Sequence, residues 1–280
     1  MTNKLGSMLR SFPEFRGKHR LSRWIFKNLI AEGRDISVKG YDDCEYILPN
    51  LKENLAFDIF INGIYEKETI DFLVRGIPPN ATVLDIGANI GSICIPLAKK
   101  RKDIKIFCVE ASPFVYHYLQ QNIALNGLEG SISCFNKAIT DADGAQLPFY
   151  SDPGNFGKGS LSPVFTKEAV MVEGITLDTL VKTLPIEKVD FIKIDIEGYE
   201  YFAFKGGRQL LTAEKKPAIL LEFVDWAEEH AAVPPGSAQQ LLTDYGYFLY
   251  TLDSMNFPRE LKERITRGSA MLVAYRQPLN

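Results

Sequence analysis

The chain has 280 residues, enough for one large α/β domain with an appendage or for two small domains. Hydrophobic residues make up 46% and charged residues 24%, the balance of an ordinary globular protein. A formal net charge of −3 excludes a surface that is basic throughout, and with it nucleic-acid binding that depends on such a footprint.

The first thirty residues depart from that balance, because Lys4, Arg10, Arg16, Lys18, Arg20, Arg23 and Lys27 face only Glu14. Leu21, Trp24, Ile25, Phe26, Leu29 and Ile30 sit among them, so residues 20–31 predict an amphipathic basic helix. Such a helix packs on its own domain or on a second copy in a homodimer, or else meets a membrane surface or polyanion. No apolar run approaches the ~20 residues needed to span a bilayer. "MTNKLGSMLRSFPEF" lacks the uninterrupted apolar core of a signal peptide. Cys44, Cys94, Cys108 and Cys134 form no CxxC pair and have no metal-ligand spacing, and the expected compartment is the cytoplasm.

Residues 35–75 contain "DISVKGYDDCEYILP" and "FDIFINGIYEKETIDFLV", which read as strands leading into a helix and predict a cap. The expected division is an arm and cap over 1–75 and a main domain over 76–280. From residue 82 onward strand-like and helix-like segments alternate, the pattern of a parallel sheet with crossover helices. "TVLDIG" reads as the first strand and "IGSICIPLAKK" as the helix after it. "IKIFCVEA" is the second strand, and "SPFVYHYLQQNIALNG" is a helix with Ser112 as N-cap, Pro113 at its first position and Gly127 as terminator. "SISCFNKAIT" is the third strand. "SDPGNFGKGSLSP" (151–163) reads as a long loop inserted in the domain, a place where function often resides. "DTLVKTLP" gives a short helix, "VDFIKID" the fourth strand, and "GYEYFAFKGGRQLL" a helix broken at Gly206-Gly207. "PAILLEFV" is the fifth strand, "SAQQLLTDYG" a further helix, and "YFLYTL" with "SAMLVAYR" a closing hairpin pair.

"VLDIGANIG" places Asp85, Gly87, Asn89 and Gly91 at the first strand-to-helix turn, where glycines let the backbone approach a ligand. A dinucleotide site has G-x-G-x-x-G there and seats a pyrophosphate on the helix end. Here the second glycine is Asn89, and Asp85 would repel a pyrophosphate but suits the amino-acid end of a zwitterion. That favours S-adenosylmethionine over a nicotinamide cofactor. The second strand ends in "VEAS", where Glu110 is placed to accept hydrogen bonds from ribose hydroxyls, a feature both cofactor classes share. Asn136, Ala138 and Asp141 are loose candidates for the adenine edge.

"GIYEKETIDFL", "VLDIGANIGSICIPLA", "VEASPFVYHYLQQNIALNG", "TLDTL" and "DFIKIDIEGYE…LLEFV", in that order, resemble the FkbM-type S-adenosylmethionine-dependent methyltransferases. The resemblance covers roughly residues 60 to 225, and "KIDIEGYE" is its most specific part. It implies a class I methyltransferase fold, a Rossmann-like seven-stranded sheet in the order 3-2-1-4-5-7-6 with helices on both faces. It also implies O-methylation of a hydroxyl on a small molecule, natural product or sugar, and places Tyr65 and Glu66 near the cofactor. Cofactor contacts are then expected from Tyr65, Glu66, Asp85, Gly87, Asn89, Gly91, Glu110, Ala111, Ser112, Ala138 and Asp195.

In such a sheet ligands lie beyond the carboxyl ends of the strands, where strand order reverses, so Asp195 faces the Asp85–Gly91 loop. Alternation along an extended segment puts Glu197 beside Asp195, and Glu222 ends the neighbouring strand. These three are the expected catalytic residues, because an alcohol needs a proton acceptor and clustered acids raise one another's pKa. The alternative is that Asp195 merely caps the helix that follows. The same acids could hold a divalent cation, the less favoured reading. Among three histidines, His117 reads as structural, His19 belongs to the arm and His230 lies near the fifth strand's end. A nicotinamide-dependent oxidoreductase and a non-catalytic cofactor-binding scaffold are the competing readings.

Overall fold

The computed structural model describes residues 17–253 and 257–279. Lys4, Arg10, Glu14 and Arg16 of the basic arm lie outside the described residues, as does the stretch read for a signal peptide. The helix predicted over 20–31 is two helices, Lys18–Ile25 and Lys27–Glu32. They part at Phe26, whose ring is buried edge-on against Phe60 at 4.9 Å between centroids.

The cap follows. Strands β1 (Ile36–Lys39) and β2 (Glu45–Leu48) form an antiparallel hairpin. Its outer edge is capped by the helix Pro113–Leu125: Glu45 N–H donates to Asn126 Oδ1 at 2.9 Å, and Ile47 N–H donates to Asn122 Oδ1 at 2.7 Å. Those bonds satisfy groups an edge strand would otherwise leave open. "FDIFIN" was expected as strand but lies in the helix Asn54–Asn62. Leu55, Ala56, Phe57, Ile59, Phe60 and Ile61 are all buried, and the wet face is only the stripe Asn54, Asp58 and Asn62, so the six residues of "FDIFIN" show too little period to tell helix from strand. Gly63, at φ 77°, stops the helix, and Lys67–Gly76 follows as the expected helix of the cap.

The main sheet contains β3 (Thr82–Ile86), β4 (Lys105–Val109), β5 (Ile132–Phe135), β10 (Phe191–Ile194), β11 (Ala218–Val224), β12 (Phe248–Leu252), β13 (Pro258–Glu260) and β14 (Ser269–Tyr275). Its order is β13-β12-β14-β11-β10-β3-β4-β5. From the β5 edge inward this is the expected 3-2-1-4-5-7-6, with β13 added outside β12 as an eighth strand. The pairs from β5 to β11 are parallel and β14 is antiparallel to both neighbours. Alternate residues feed two layers. Val83, Phe191 and Leu220 join the layer holding the cap and the helices Cys94–Lys100 and Pro113–Leu125. Leu84, Ile192 and Leu221 join the opposite layer, with the helices Leu177–Thr183, Glu200–Lys205 and Ser237–Asp244. Burial on both faces is why these strands read as continuous apolar runs.

The predicted third strand is split. After β5 the chain leaves the main sheet, and β6 (Ala138–Ile139) joins β7 (Gln146–Ser151), β8 (Gly159–Ser160) and β9 (Ala169–Ile175) in a second sheet, ordered β6-β9-β7-β8. The loop expected near 151–163 is the hairpin between β7 and β8 with its continuation. It reaches the cap, where Asn50 Nδ2 donates to Pro153 O at 2.9 Å.

Candidate active site

A cavity of about 240 Å³ opens at the carboxyl ends of β3, β4, β10 and β11, roofed by the cap and the β7–β8 hairpin. Strand order reverses there, between β4–β3 on one side and β10–β11 on the other. On the β3 side, Gly87 has φ 76°, and a Cβ on it would lie 1.9 Å from Asp195 O, so the turn accepts no side chain. Asn89 takes the left-handed conformation at φ 51°, its side chain accepting Ile90 N–H at 2.8 Å. Its own N–H donates to Glu110 Oε2 at 3.0 Å, and Ser112 N–H donates to Glu110 Oε1 at 2.9 Å. The Glu110 carboxylate is thus fixed at the cavity wall, and burial raises its pKa to about 7 against those two backbone bonds.

On the β10 side lies a residue that sequence reasoning passed over. Lys193 stands in the middle of β10, 7% exposed, opposite Asp85 in the parallel register. Its Nζ is 3.6 Å from Asp85 Oδ1 and 3.7 Å from Asp195 Oδ2, and it donates to Gly87 O at 3.2 Å. Burial alone would lower its pKa, but Asp85, Asp195 and Glu66 outweigh burial and raise it, so the amine stays charged. Burial likewise pushes the Asp85 carboxyl up, with Lys193 opposing. The available signal was a lysine inside a strand whose neighbours are all apolar. Lys193 ties the glycine turn, the strand beneath it and the acidic strand end into one charged knot.

Asp195, Glu197 and Glu222 all line the cavity. Alternation is not what brings Glu197 there. The strand ends at Ile194, and Glu197 sits in a left-handed turn at φ 52° followed by Gly198 at φ 94°. Glu222 lies inside β11 rather than at its end, since that strand runs on to Val224. Burial, then the charges of Asp195 and Glu222, raise Glu197 to about 7. Burial, then Asp195 and Glu66, raise Glu222 to about 7. The turn is capped by Glu200, whose Oε1 accepts Ile196 N–H at 2.9 Å, which leaves Asp195 facing Lys193 and the cavity. Ser162 pins the turn from outside. Its single hydroxyl proton goes to His230 O at 2.7 Å, so the 2.9 Å contact with Tyr199 is donated by the phenol.

Of the other expected cofactor contacts, Tyr65, Glu66, Gly87, Asn89, Glu110, Ala111 and Ser112 line the cavity. Asp85, 2% exposed, lies behind the wall, and Gly91 lies at the helix entry, where a Cβ would meet Ile95 at 2.6 Å. Ala138 points away because the chain alternates: Lys137 and Ile139 face the cavity while Ala138 packs with Phe149 and Val172. Asn136 donates to Glu110 O and Ala111 O, both at 2.9 Å, and Asp141 pairs with Lys205 outside. His117 pairs with Gln121 on its helix, His19 lies 3.5 Å from Asp58, and the His230 ring bonds Trp226 O; none lines the cavity. The hairpin contributes Phe149, Phe156, Gly157, Lys158 and Gly159, and the cap adds Glu53, 4% exposed with Oε2 lacking a donor. Glu66, Asn89 and Glu197 are all non-glycine residues at positive φ on this one cavity, strain of the kind that collects at functional sites.

The lining therefore sets Glu53, Glu66, Glu110, Asp195, Glu197 and Glu222 against Lys137, Lys158 and Lys193. An acidic enclosure suits a cation. The methyltransferase FkbM domain matches residues 85–249, more than half of the chain. The protein belongs to the FkbM methyltransferase family. Three relatives align over more than half of it. Methyltransferase sdnD of Sordaria araneosa is 26% identical over 179 residues, 53% of this chain and 66% of that protein. Hexuronic acid methyltransferase AglP of Haloferax volcanii is 24% identical over 180 residues, 64% of this chain and 68% of AglP. The 2-O-methyltransferase NoeI of Sinorhizobium fredii is 26% identical over 183 residues, 60% of this chain and 73% of NoeI. The chain thus spans just under two thirds of sdnD and somewhat more of the other two. The matched span runs further toward the C-terminus than the motifs suggested and leaves Tyr65 and Glu66 outside it.

In this FkbM-family protein the match to a methyltransferase domain sets the nicotinamide reading aside and favours S-adenosylmethionine. Its residues fit that cofactor, with a side-chain-free turn at Gly87, an anchored acid at Glu110 and a surplus of carboxylates. When bound, S-adenosylmethionine supplies a methyl group on a cationic sulfur. A divalent metal has a different fit. Among the described residues, the side chains close enough together to share an ion are Asp85, Cys94 and Cys108, all buried, and the three cavity acids are not such a set.

Proposed function

We propose that the protein methylates a hydroxyl oxygen on a sugar or other small molecule, with Asp195, Glu197 and Glu222 as the catalytic carboxylates. The observation that carries this is the pair Glu197 and Glu222, both raised to about 7 on one wall beside Asp195. A base with pKa near the working pH removes a hydroxyl proton most effectively. In this reading the acceptor oxygen gives its proton to the Glu197–Glu222 pair as it gains the methyl group, and Asp195 orients it. Much of the rate then comes from holding acceptor and methyl donor in line. Names such as hexuronic acid methyltransferase and 2-O-methyltransferase among the relatives support a hydroxylated, sugar-like acceptor. Residues 1–75 serve as arm and cap over a cofactor-binding domain of 76–280. Tyr65, Glu66, Gly87, Asn89, Glu110, Ala111, Ser112 and Asp195 contact the cofactor, while Asp85 and Gly91 act from behind the wall. No metal takes part, no nucleic acid is bound, and the four free cysteines accord with a cytoplasmic location.

The test is incubation with S-adenosylmethionine and a panel of uronic acids, neutral sugars, hydroxylated small molecules, amines and tRNA, read by mass spectrometry with and without a chelator. Methyl groups on oxygen, unaffected by chelation, are expected. Methylation of amines or RNA alone would overturn the reading.

A further inference from the structure

The helix Lys18–Ile25 is turned the unexpected way round. Lys18 and Ser22 face the core at 4% and 1% exposure, whereas Leu21, Trp24 and Ile25 face solvent at 45%, 69% and 41%. Positions 21, 24, 25 and 28 share one side of a helical pair, so the three apolar side chains form a single outward patch. Arg20 and Lys27 are exposed at its rim and form no ion pair among the described residues. The sequence leading into it adds Lys4, Arg10 and Arg16 against Glu14 alone, on a chain whose formal net charge is −3.

We infer that this patch seats the protein on an anionic membrane surface, with Trp24, Leu21 and Ile25 entering the headgroup region and Arg20 and Lys27 meeting lipid phosphates. Tryptophan beside aliphatic residues and rimmed by basic ones is the composition of an interfacial helix, and no helix among the described residues is long and apolar enough to cross a bilayer. A second copy is the poorer occupant for two reasons. An isologous contact on this patch would gather the Arg20 and Lys27 of both copies at one interface. Three side chains also fall far short of the ~800 Å² per partner that stable interfaces bury. The location gives the docking a purpose. Arg23 Nη2 donates to Asn54 Oδ1 at 2.7 Å, and Asn54 lines the catalytic cavity, so the patch and the cavity mouth are neighbours. The docking stands whether or not the acceptor is a hydroxyl.

The test is flotation of the full chain with vesicles of phosphatidylglycerol and phosphatidylcholine, against phosphatidylcholine alone. Binding to the anionic vesicles only is expected, lost at high salt. Arg20→Gln with Lys27→Gln should weaken it roughly 30-fold, two factors of about five at about 1 kcal/mol per basic residue. Trp24→Ser should weaken it as well, and all three changes are to exposed side chains, so affinity for S-adenosylhomocysteine should not move. Equal partition onto neutral vesicles, or no flotation of wild type that binds S-adenosylhomocysteine, overturns the inference. So does a dimer in sedimentation that Trp24→Ser dissolves.

Discussion

Replacing Lys193 by methionine keeps the unbranched side chain as far as its ε carbon and removes the ammonium. Asp85 then loses the cation 3.6 Å away, and neither of its buried oxygens accepts a hydrogen bond. At an effective dielectric constant of about 20, a pair at that distance interacts by about 4–5 kcal/mol, and breaking buried pairs costs about 3–5 kcal/mol. Lys193→Met is therefore expected to lower unfolding free energy by about 3–5 kcal/mol in urea at pH 7, measured without cofactor. Adding Asp85→Asn removes the stranded charge and should restore about 2 kcal/mol, a non-additivity that a double-mutant cycle reads directly. Both variants should also lose affinity for S-adenosylhomocysteine, because the lysine holds Gly87 O at 3.2 Å. A cost below about 1 kcal/mol for Lys193→Met, or additive effects in the pair, would refute the claim that this ion pair organises the site.

Gly87→Ala forces a Cβ to within 1.9 Å of Asp195 O at φ 76°, so calorimetry should find S-adenosylhomocysteine binding weakened by at least about tenfold, with strain of about 1–3 kcal/mol in stability. Glu222→Gln should lower kcat by about 10²–10⁴-fold while leaving cofactor affinity nearly intact, and the acid limb of the pH–rate profile should fall near pH 7 in wild type. Glu110, Glu197 and Glu222 are raised to about 7 from an ordinary value of 4.5, so the folded chain holds protons that the unfolded chain gives up. Their contribution to stability is full below about pH 4.5 and is lost as pH rises through 7; urea midpoints should fall across that window and flatten in Glu197→Gln. Cationic S-adenosylmethionine should release more protons on binding at pH 6.5 than neutral S-adenosylhomocysteine does, measured by calorimetry in buffers of different ionisation enthalpy.

Sequence spacing carried the sheet because β3, β4 and β10 are bounded locally, by Gly87, Ser112 and Gly198, and buried on both faces. The strand order itself came from the resemblance carried by "VLDIGANIG" and "KIDIEGYE", and β13 was invisible in three half-exposed residues. The second sheet was missed for a related reason: β7 and β9 are largely exposed, so their side chains lack the alternation of a half-buried strand. The helix Asn54–Asn62 reads as strand because its polar face is a single stripe, Asn54, Asp58 and Asn62, too sparse within "FDIFIN" to show a helical period. At the site, acids were found readily since they end apolar runs. Lys193 escaped because one cation in a short strand resembles ordinary alternation until its neighbours are known, and Glu53 arrives from the cap by tertiary contact alone.

The small sheet is tied to the rest of the molecule by Asn50 to Pro153, Ser112 to Ser151, Asp141 to Lys205, and Ser162 to Tyr199 and His230. None of those bonds passes through Lys193 or Asp85. The piece that supplies Phe156 and Lys158 to the cavity is therefore held by polar contacts other than those of the charged knot. Changes confined to the β7–β8 hairpin should alter Phe156 and Lys158 at the cavity while leaving Lys193, Asp85 and the Asn136 bonds to Glu110 O and Ala111 O in place. For an engineer, the hairpin from β7 to β8 is thus an exchangeable faceplate, and residues 146–160 are the segment to transplant.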